Sequence, residues 1–149
     1  MRIVDFRSDT ITVPTEEMRK AMYLAEVGDD VYREDKTVIE LEEYAAEKVG
    51  KEAAIFVTSG TMGNQLALLS HCQRGQEIIV EEDTHIYKAE VAATSFIGGL
   101  QAKPIKGKKG IMSIDDIHNA IRPKDIHMPE TGLICIENTH NMAGGIVAP

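Results

Sequence analysis

The sequence holds several polar clusters whose residue types suit chemistry. The first is Ser59-Gly60-Thr61 in AAIFVTSGTMGN, where an apolar run meets a helix-like pattern. A chain turning from strand to helix presents unpaired N–H groups and the positive end of a helix dipole. Gly60 lets a ligand approach the backbone closely, and the Ser59 and Thr61 hydroxyls add donors. Such a turn serves either as a helix N-cap or as a phosphate cradle. There is no dinucleotide fingerprint and no Walker sequence, and the helix behind the turn carries no lysine. A phosphate held here would belong to a small phosphorylated cofactor rather than to a nucleoside triphosphate.

His85, in EEDTHIYKAE, follows an apolar strand pattern and precedes a helical one. An imidazole there can stack on an aromatic ring or shuttle a proton, or simply be a satisfied structural histidine. Glu90, a little more than one helical turn later, can share its face or belong to a solvated one. ENTHN, residues 137–141, gathers hydrogen-bonding side chains after a final strand. His127 sits in DIHMP, in the loop before that strand, while His71 and His118 lie in helical contexts and read as surface or structural residues.

The elements that must position these groups alternate along the chain. Residues 15–26 carry Met18, Ala21, Met22 and Ala25 at helical spacing, with Thr15 as N-cap. Thr37-Val38-Ile39-Glu40 reads as a capping box for a second helix that buries Val38, Leu41 and Ala45 and stops at Gly50. Residues 53–58 read as a buried strand. A third helix is expected from Met62 to Arg74, burying Leu66 and Leu69. EIIVE is a strand, residues 87–96 a helix, QAKPI a strand weakened by Pro104, Ser113 the cap of a short helix to Ile121, and GLICIEN the last strand. Short apolar strands alternating with helices imply an α/β fold, a three-layer α/β/α arrangement around a mainly parallel sheet. In such sheets ligands gather at the carboxyl ends of the strands, where TSGT, EDTH and ENTHN all fall.

Composition narrows the function classes. The net charge of −8 argues against nucleic acid as a partner, and the lysines from Lys103 to Lys109 are interrupted by Pro104 and Gly107, as in a solvated loop. No apolar run approaches a membrane span, and the amino-terminal residues lack a signal-peptide core, so a cytoplasmic location is expected. Cys72 and Cys135 show no metal-ligand spacing and read as buried thiols, and no metal is expected.

With these pieces in place, the sequence resembles the N-terminal part of the low-specificity threonine aldolases. These are fold-type-I, pyridoxal-phosphate-dependent lyases of the aspartate aminotransferase superfamily. The motifs DFRSDTITVPTEEMRKAM, VGDDVY, EAAIFVTSGTMGNQLAL, EDTHIYKAE, DIH and ENTHN occur in the family's order. The resemblance implies that Ser59, Gly60 and Thr61 bind the phosphate of pyridoxal 5'-phosphate and that His85 stacks on its pyridine ring. Ser8 would hold the substrate carboxylate, His127 would lie near the β-hydroxyl, and Tyr32 would reach a neighbouring subunit of a homo-oligomer, a dimer or tetramer. Where the family commonly has Gly-Glu-Asp-Pro after DDVY, this chain has Arg33-Glu34-Asp35-Lys36.

The implied reaction of amino-acid metabolism is cleavage of L-threonine or L-allo-threonine to glycine and acetaldehyde. A β-eliminating lyase of the same superfamily and a non-catalytic remnant are the alternatives. The family's Schiff-base lysine and its substrate-gripping arginines lie beyond ENTHN, and none of the lysines here stands in that context. The chain is therefore expected to be an incomplete large domain, with a helical arm over 1–50 and an αβ cofactor-binding core over 51–149, inactive alone.

Overall fold

The computed structural model describes residues 3–5 and 8–149. Phe6 and Arg7 of the DFRSDT motif lie outside them. The chain forms two compact units, Met1–Phe56 and Val57–Pro149.

The first unit contains a 3-10 turn at Asp9–Ile11, helix α1 (Glu16–Leu24), a second such turn at Asp30–Tyr32 and helix α2 (Lys36–Val49). Thr15 caps α1 as expected, its hydroxyl accepting the Met18 N–H at 3.3 Å. The capping box does not form. Asp35 is the N-cap of α2, accepting the Val38 N–H at 3.0 Å and, through its other oxygen, the Gly28 N–H at 3.1 Å. These two N–H groups hold its carboxyl below the ordinary carboxylate range. An aspartate that can also tie down the preceding loop displaces Thr37, whose hydroxyl instead donates to the Glu26 carbonyl. Gly50, at φ +64°, ends α2. Arg33 takes a left-handed φ of 59°, where the family's glycine would sit without strain, and pairs with Glu42 at 2.9 Å. Only Ala46 is buried in this unit among the described residues, and Leu41 is exposed, so the expected burial stripe on α2 is not realised.

Residues 53–57 do not form the expected strand. They run without a ladder partner, the Phe56 N–H donating instead to the Glu42 carboxylate at 2.9 Å, and Ile55 and Phe56 remain exposed. Apolar composition marked a stretch able to be a strand, but a strand also requires a neighbouring edge.

The second unit is built on a parallel sheet of order β2-β1-β3, from β1 (Glu77–Glu81), β2 (Gln101–Ile105) and β3 (Thr131–Ile134). Helix α3 (Gly60–His71) precedes β1, the single turns α4 (His85–Lys88) and α5 (Ala93–Phe96) precede β2, and α6 (Ile114–Ala120) precedes β3. Every residue of β1 is buried, as a strand covered on both faces requires. Ile78 and Val80 pack with Leu68 of α3, with Cys72 at its C-cap and with Leu100, bordered by Ile86, Ala102, Leu133 and Cys135. On the opposite face lies Ile79, beside Lys103, whose ammonium reaches the Ala120 carbonyl at the end of α6 at 2.6 Å. The unit is thus α/β with helices on both sides of its sheet. Each of Ile78, Ile79 and Val80 contributes about 1.5–3 kcal/mol by burial. Burial, with Cys72 close by, pushes the Cys135 thiol up to about 11. Pro104 is tolerated because β2 is an edge strand.

Two further expectations are corrected. The inward face of α3 carries Gln65 and Leu68, whereas Leu66 and Leu69 are exposed. The expected helix over residues 87–96 is split by Val91 and Ala92, at φ 52° and 58°. Gln65 turns inward to meet the buried Glu90 carboxylate. Among the described residues no helix is long and apolar enough to cross a membrane.

Candidate active site

At the amino end of α3 the Ser59 hydroxyl accepts the Met62 N–H at 3.1 Å, and the Ser59 carbonyl accepts the Gly63 N–H. Among the described residues, those bonds leave the N–H groups of Gly60 and Thr61 as the helix's first, unshared donors. A Cβ placed on Gly60 would meet nothing within 4 Å, so this end of the helix opens outward. The Ser59 hydroxyl accepts in its cap and still has its own proton to donate. The turn is therefore an N-cap whose outward end has the donor arrangement that suits an anion.

One to two turns into α3, Asn64 and Gln65 point to Glu90. Asn64 Nδ2 donates to Glu90 Oε1 at 2.5 Å and Gln65 Nε2 to Oε2 at 3.2 Å. Glu90 is 4% exposed, and its Oε1 also meets His85 Nδ1 at 3.0 Å. A buried carboxylate thus binds the imidazole that follows β1 to helix α3. With Nδ1 facing Glu90, the His85 ring plane is set and Nε2 is free. His85 is further fixed through its backbone, its N–H donating to Glu137 Oε2 at 2.6 Å. Glu137 Oε1 accepts the Asn141 N–H at 2.8 Å. A cavity of about 240 Å³ lies here, with Asn64, Thr84, His85 and Glu137 among its lining residues and Leu68, Leu133 and Ile134 as its apolar wall.

The structure brings Ser59, Gly60, Thr61, Glu90 and His85 to one end of the second unit. It does not bring His127 to them. That residue lies in the exposed loop leading into β3, its N–H bound to Asp125 Oδ1 at 2.8 Å, at the amino edge of the sheet rather than the carboxyl edge. Ser8 and Tyr32 belong to the first unit. Ser8 caps the Asp9–Ile11 turn and Tyr32 closes the Asp30–Tyr32 turn, both exposed. Asn64, Gln65 and Glu81 were missed by motif reading. Their signal was a polar pair on an otherwise apolar helix, Asn64-Gln65 in GTMGNQLALL, and a glutamate inside an all-buried strand.

A sequence profile of the family described as beta-eliminating lyase matches residues 5–149. The low-specificity L-threonine aldolase 1 of Arabidopsis thaliana is 50% identical over 149 residues, covering 97% of this chain and 42% of that protein. The low specificity L-threonine aldolase of Escherichia coli K12 is 48% identical over 140 residues, covering 93% of this chain and 42% of its own length. The chain spans about two fifths of the length of the curated relatives it matches. Among solved structures, Leishmania major threonine aldolase superposes with a TM-score of 0.69 at 21% identity, over 83% of this chain and 36% of that one, and so shares the fold.

Proposed function

Because this chain belongs to the beta-eliminating lyase family, we propose that it supplies the phosphate- and ring-binding part of a pyridoxal-phosphate-dependent carbon–carbon lyase. The substrate in this reading is L-threonine or L-allo-threonine, and the products are glycine and acetaldehyde. The observation that carries it is the buried Glu90 carboxylate, which fastens His85 to the helix whose amino end is an open anion cradle. A ligand with a phosphate and a flat ring fits that donor set, since cradle and imidazole are held at one fixed separation.

Bound pyridoxal phosphate would supply an electron sink for the pair released when the Cα–Cβ bond breaks. The Gly60 and Thr61 N–H groups and the Ser59 and Thr61 hydroxyls would donate to the phosphate, favoured by the α3 dipole. His85 would lie flat against the ring, its plane set through Nδ1 by Glu90, leaving Nε2 to take or return a proton. Glu90 acts on the imidazole, and Glu137 fixes the backbone beneath it. Ser8 as a carboxylate ligand and Tyr32 as a contributor to a neighbouring subunit of a homo-oligomer are supported by the sequence resemblance. His127 is left out of this constellation because it enters at the opposite edge of the sheet.

A second reading, β-elimination, is favoured by the family profile. The two separate when this chain is joined to the remaining part of one of the matched relatives, which carries the family's lysine, and incubated with L-threonine and pyridoxal phosphate. Acetaldehyde with glycine supports the aldolase, and ammonia with a 2-oxo acid supports elimination. Cofactor binding is read independently by amide NMR. Titration with pyridoxal phosphate is expected to move the Gly60, Thr61 and His85 resonances, and inorganic phosphate to compete. Saturable binding that leaves those three unmoved overturns the assignment.

A further inference from the structure

We propose that the buried Glu81–His140 pair is a positioning device that aims His85. His140 lies in ENTHN, is 1% exposed, and places Nε2 3.0 Å from Glu81 Oε2, itself buried at the end of β1. With a carboxylate opposite, Nε2 carries the proton and donates it. Nδ1 has no partner. A buried histidine with half of its polar capacity unused is costly as mere packing.

The Glu81–His140 bond joins three chain segments at the carboxyl edge of the sheet. Glu81 Oε2 also accepts the Asp83 N–H at 2.7 Å, and Oε1 accepts the Gly107 N–H at 3.2 Å from the loop after β2. Gly110 of the same loop packs against the imidazole so closely that a Cβ there would lie 2.5 Å from the ring. The backbone of His140 is pinned in turn, its N–H donating to the Ile146 carbonyl and its carbonyl accepting the Gly145 N–H, both at 2.9 Å. The consequence runs through the adjacent residues. Asn141 donates its N–H to Glu137 Oε1, and Glu137 Oε2 takes the N–H of His85. His85 is therefore held from two directions. Glu90 sets its ring, and the His140-anchored loop sets its backbone. Losing the anchor frees Glu137 and lets the imidazole wander, although His140 touches neither His85 nor the cavity beside it. The consequence for cofactor binding rests on the pyridoxal phosphate reading above, whereas the positioning itself does not.

The test uses the full chain and two readouts, backbone amide exchange and the affinity for pyridoxal phosphate. His140→Leu is expected to speed exchange of the His85 amide by about tenfold or more, while the Cys135 amide, bonded to the Ile79 carbonyl in the sheet, keeps its protection. His140→Gln returns an amide nitrogen to where Nε2 stood and is expected to restore His85 protection to within about threefold of the parent. Should His140→Leu not fold, His140→Asn takes its place, since its shorter amide does not span to Glu81. Pyridoxal phosphate affinity is expected to fall and recover in the same order. Unchanged His85 exchange in His140→Leu or His140→Asn overturns the proposal, as does a His140→Gln protein no better than these. If the parent chain binds no pyridoxal phosphate, the functional reading fails by itself and the exchange data still decide the positioning role.

Discussion

The two ends of β1 each bury a glutamate, and they are finished differently. At the amino end Glu77 receives Arg122 Nε at 2.9 Å, Arg122 Nη2 at 3.0 Å and Gln101 Nε2 at 2.7 Å, with the Lys103 ammonium 3.9 Å away. Burial by itself would push this carboxyl up, but the Arg122 hydrogen bonds and charge, with Lys103 and Gln101, bring it below its ordinary range. Both oxygens are saturated by charged or amide donors. At the carboxyl end Glu81 meets a histidine and backbone N–H groups. The buried side-chain atoms without a partner among the described residues, Gln65 Oε1 and His140 Nδ1, both belong to the networks there. One end spends its buried charge on fastening strand to loop. The other spends it on aiming, and it keeps unshared donors and a half-exposed imidazole facing solvent.

The sharpest way to break that contrast is to remove each carboxylate. Glu77→Ala strands Arg122 and Gln101 and is expected to cost about 3–5 kcal/mol, read from the urea midpoint. The folded fraction should bind pyridoxal phosphate as the parent does. Glu90→Ala leaves the Asn64 and Gln65 amides without an acceptor and is expected to cost less, about 1–3 kcal/mol, yet to weaken pyridoxal phosphate binding by more than about tenfold. If the ranks reverse, with Glu90→Ala the more destabilising and cofactor affinity untouched, then both ends of the strand are structural.

Acid sharpens the same contrast at smaller scale. Glu77 has a depressed folded-state value, so its stabilisation is full above the ordinary glutamate range and is lost as pH falls through the lower folded value. The urea midpoint of the parent should therefore fall between about pH 5 and pH 3 more steeply than that of Glu77→Gln, which has no carboxyl to protonate there. Asp35 and Glu42 of the first unit are depressed by backbone N–H donors and, for Glu42, by Arg33 as well. They contribute with the same sign in parent and variant, so the difference between the two curves isolates Glu77.

What could be read from the sequence follows from what hydrophobic period and turn chemistry encode. Thr15, Ser59 and Ser113 announce their caps because a hydroxyl before a helical run has one obvious use. EIIVE announces a buried strand, and His85 stands just past its carboxyl end, where ligands collect in such sheets. The failures cluster where a polar side chain turns inward. Gln65 rather than Leu66 faces the core because Glu90 waits for it, and that pairing across 25 residues leaves no trace in local period. The helix that an apolar count over 87–96 suggests is interrupted by the left-handed backbone of Val91 and Ala92. Residues 53–57 fail for the converse reason, since a strand depends on a neighbour that no local pattern can report. His127 precedes β3 in the loop entering the sheet, and its place near a substrate hydroxyl rests on the motif resemblance alone.

The finest discrimination lies in two serines that do the same local work. Ser59 caps α3 through the Met62 N–H at 3.1 Å, and Ser113 caps α6 through the Asp116 N–H, also at 3.1 Å. Replacing either by alanine removes one cap bond and should cost about 1 kcal/mol, so thermal and urea stability cannot tell them apart. Their surroundings can. Ser113 also donates its hydroxyl proton to Asp116 at 2.6 Å, whereas Ser59 keeps its proton beside the open N–H groups of Gly60 and Thr61. Ser59→Ala should therefore weaken inorganic phosphate and pyridoxal phosphate binding by a few-fold, about what one lost neutral hydrogen bond is worth. Ser113→Ala should leave both affinities at the parent value. Equal affinities in the two variants would show that the hydroxyl at the amino end of α3 serves only its own helix, and the cradle would then consist of backbone N–H groups and Thr61 alone.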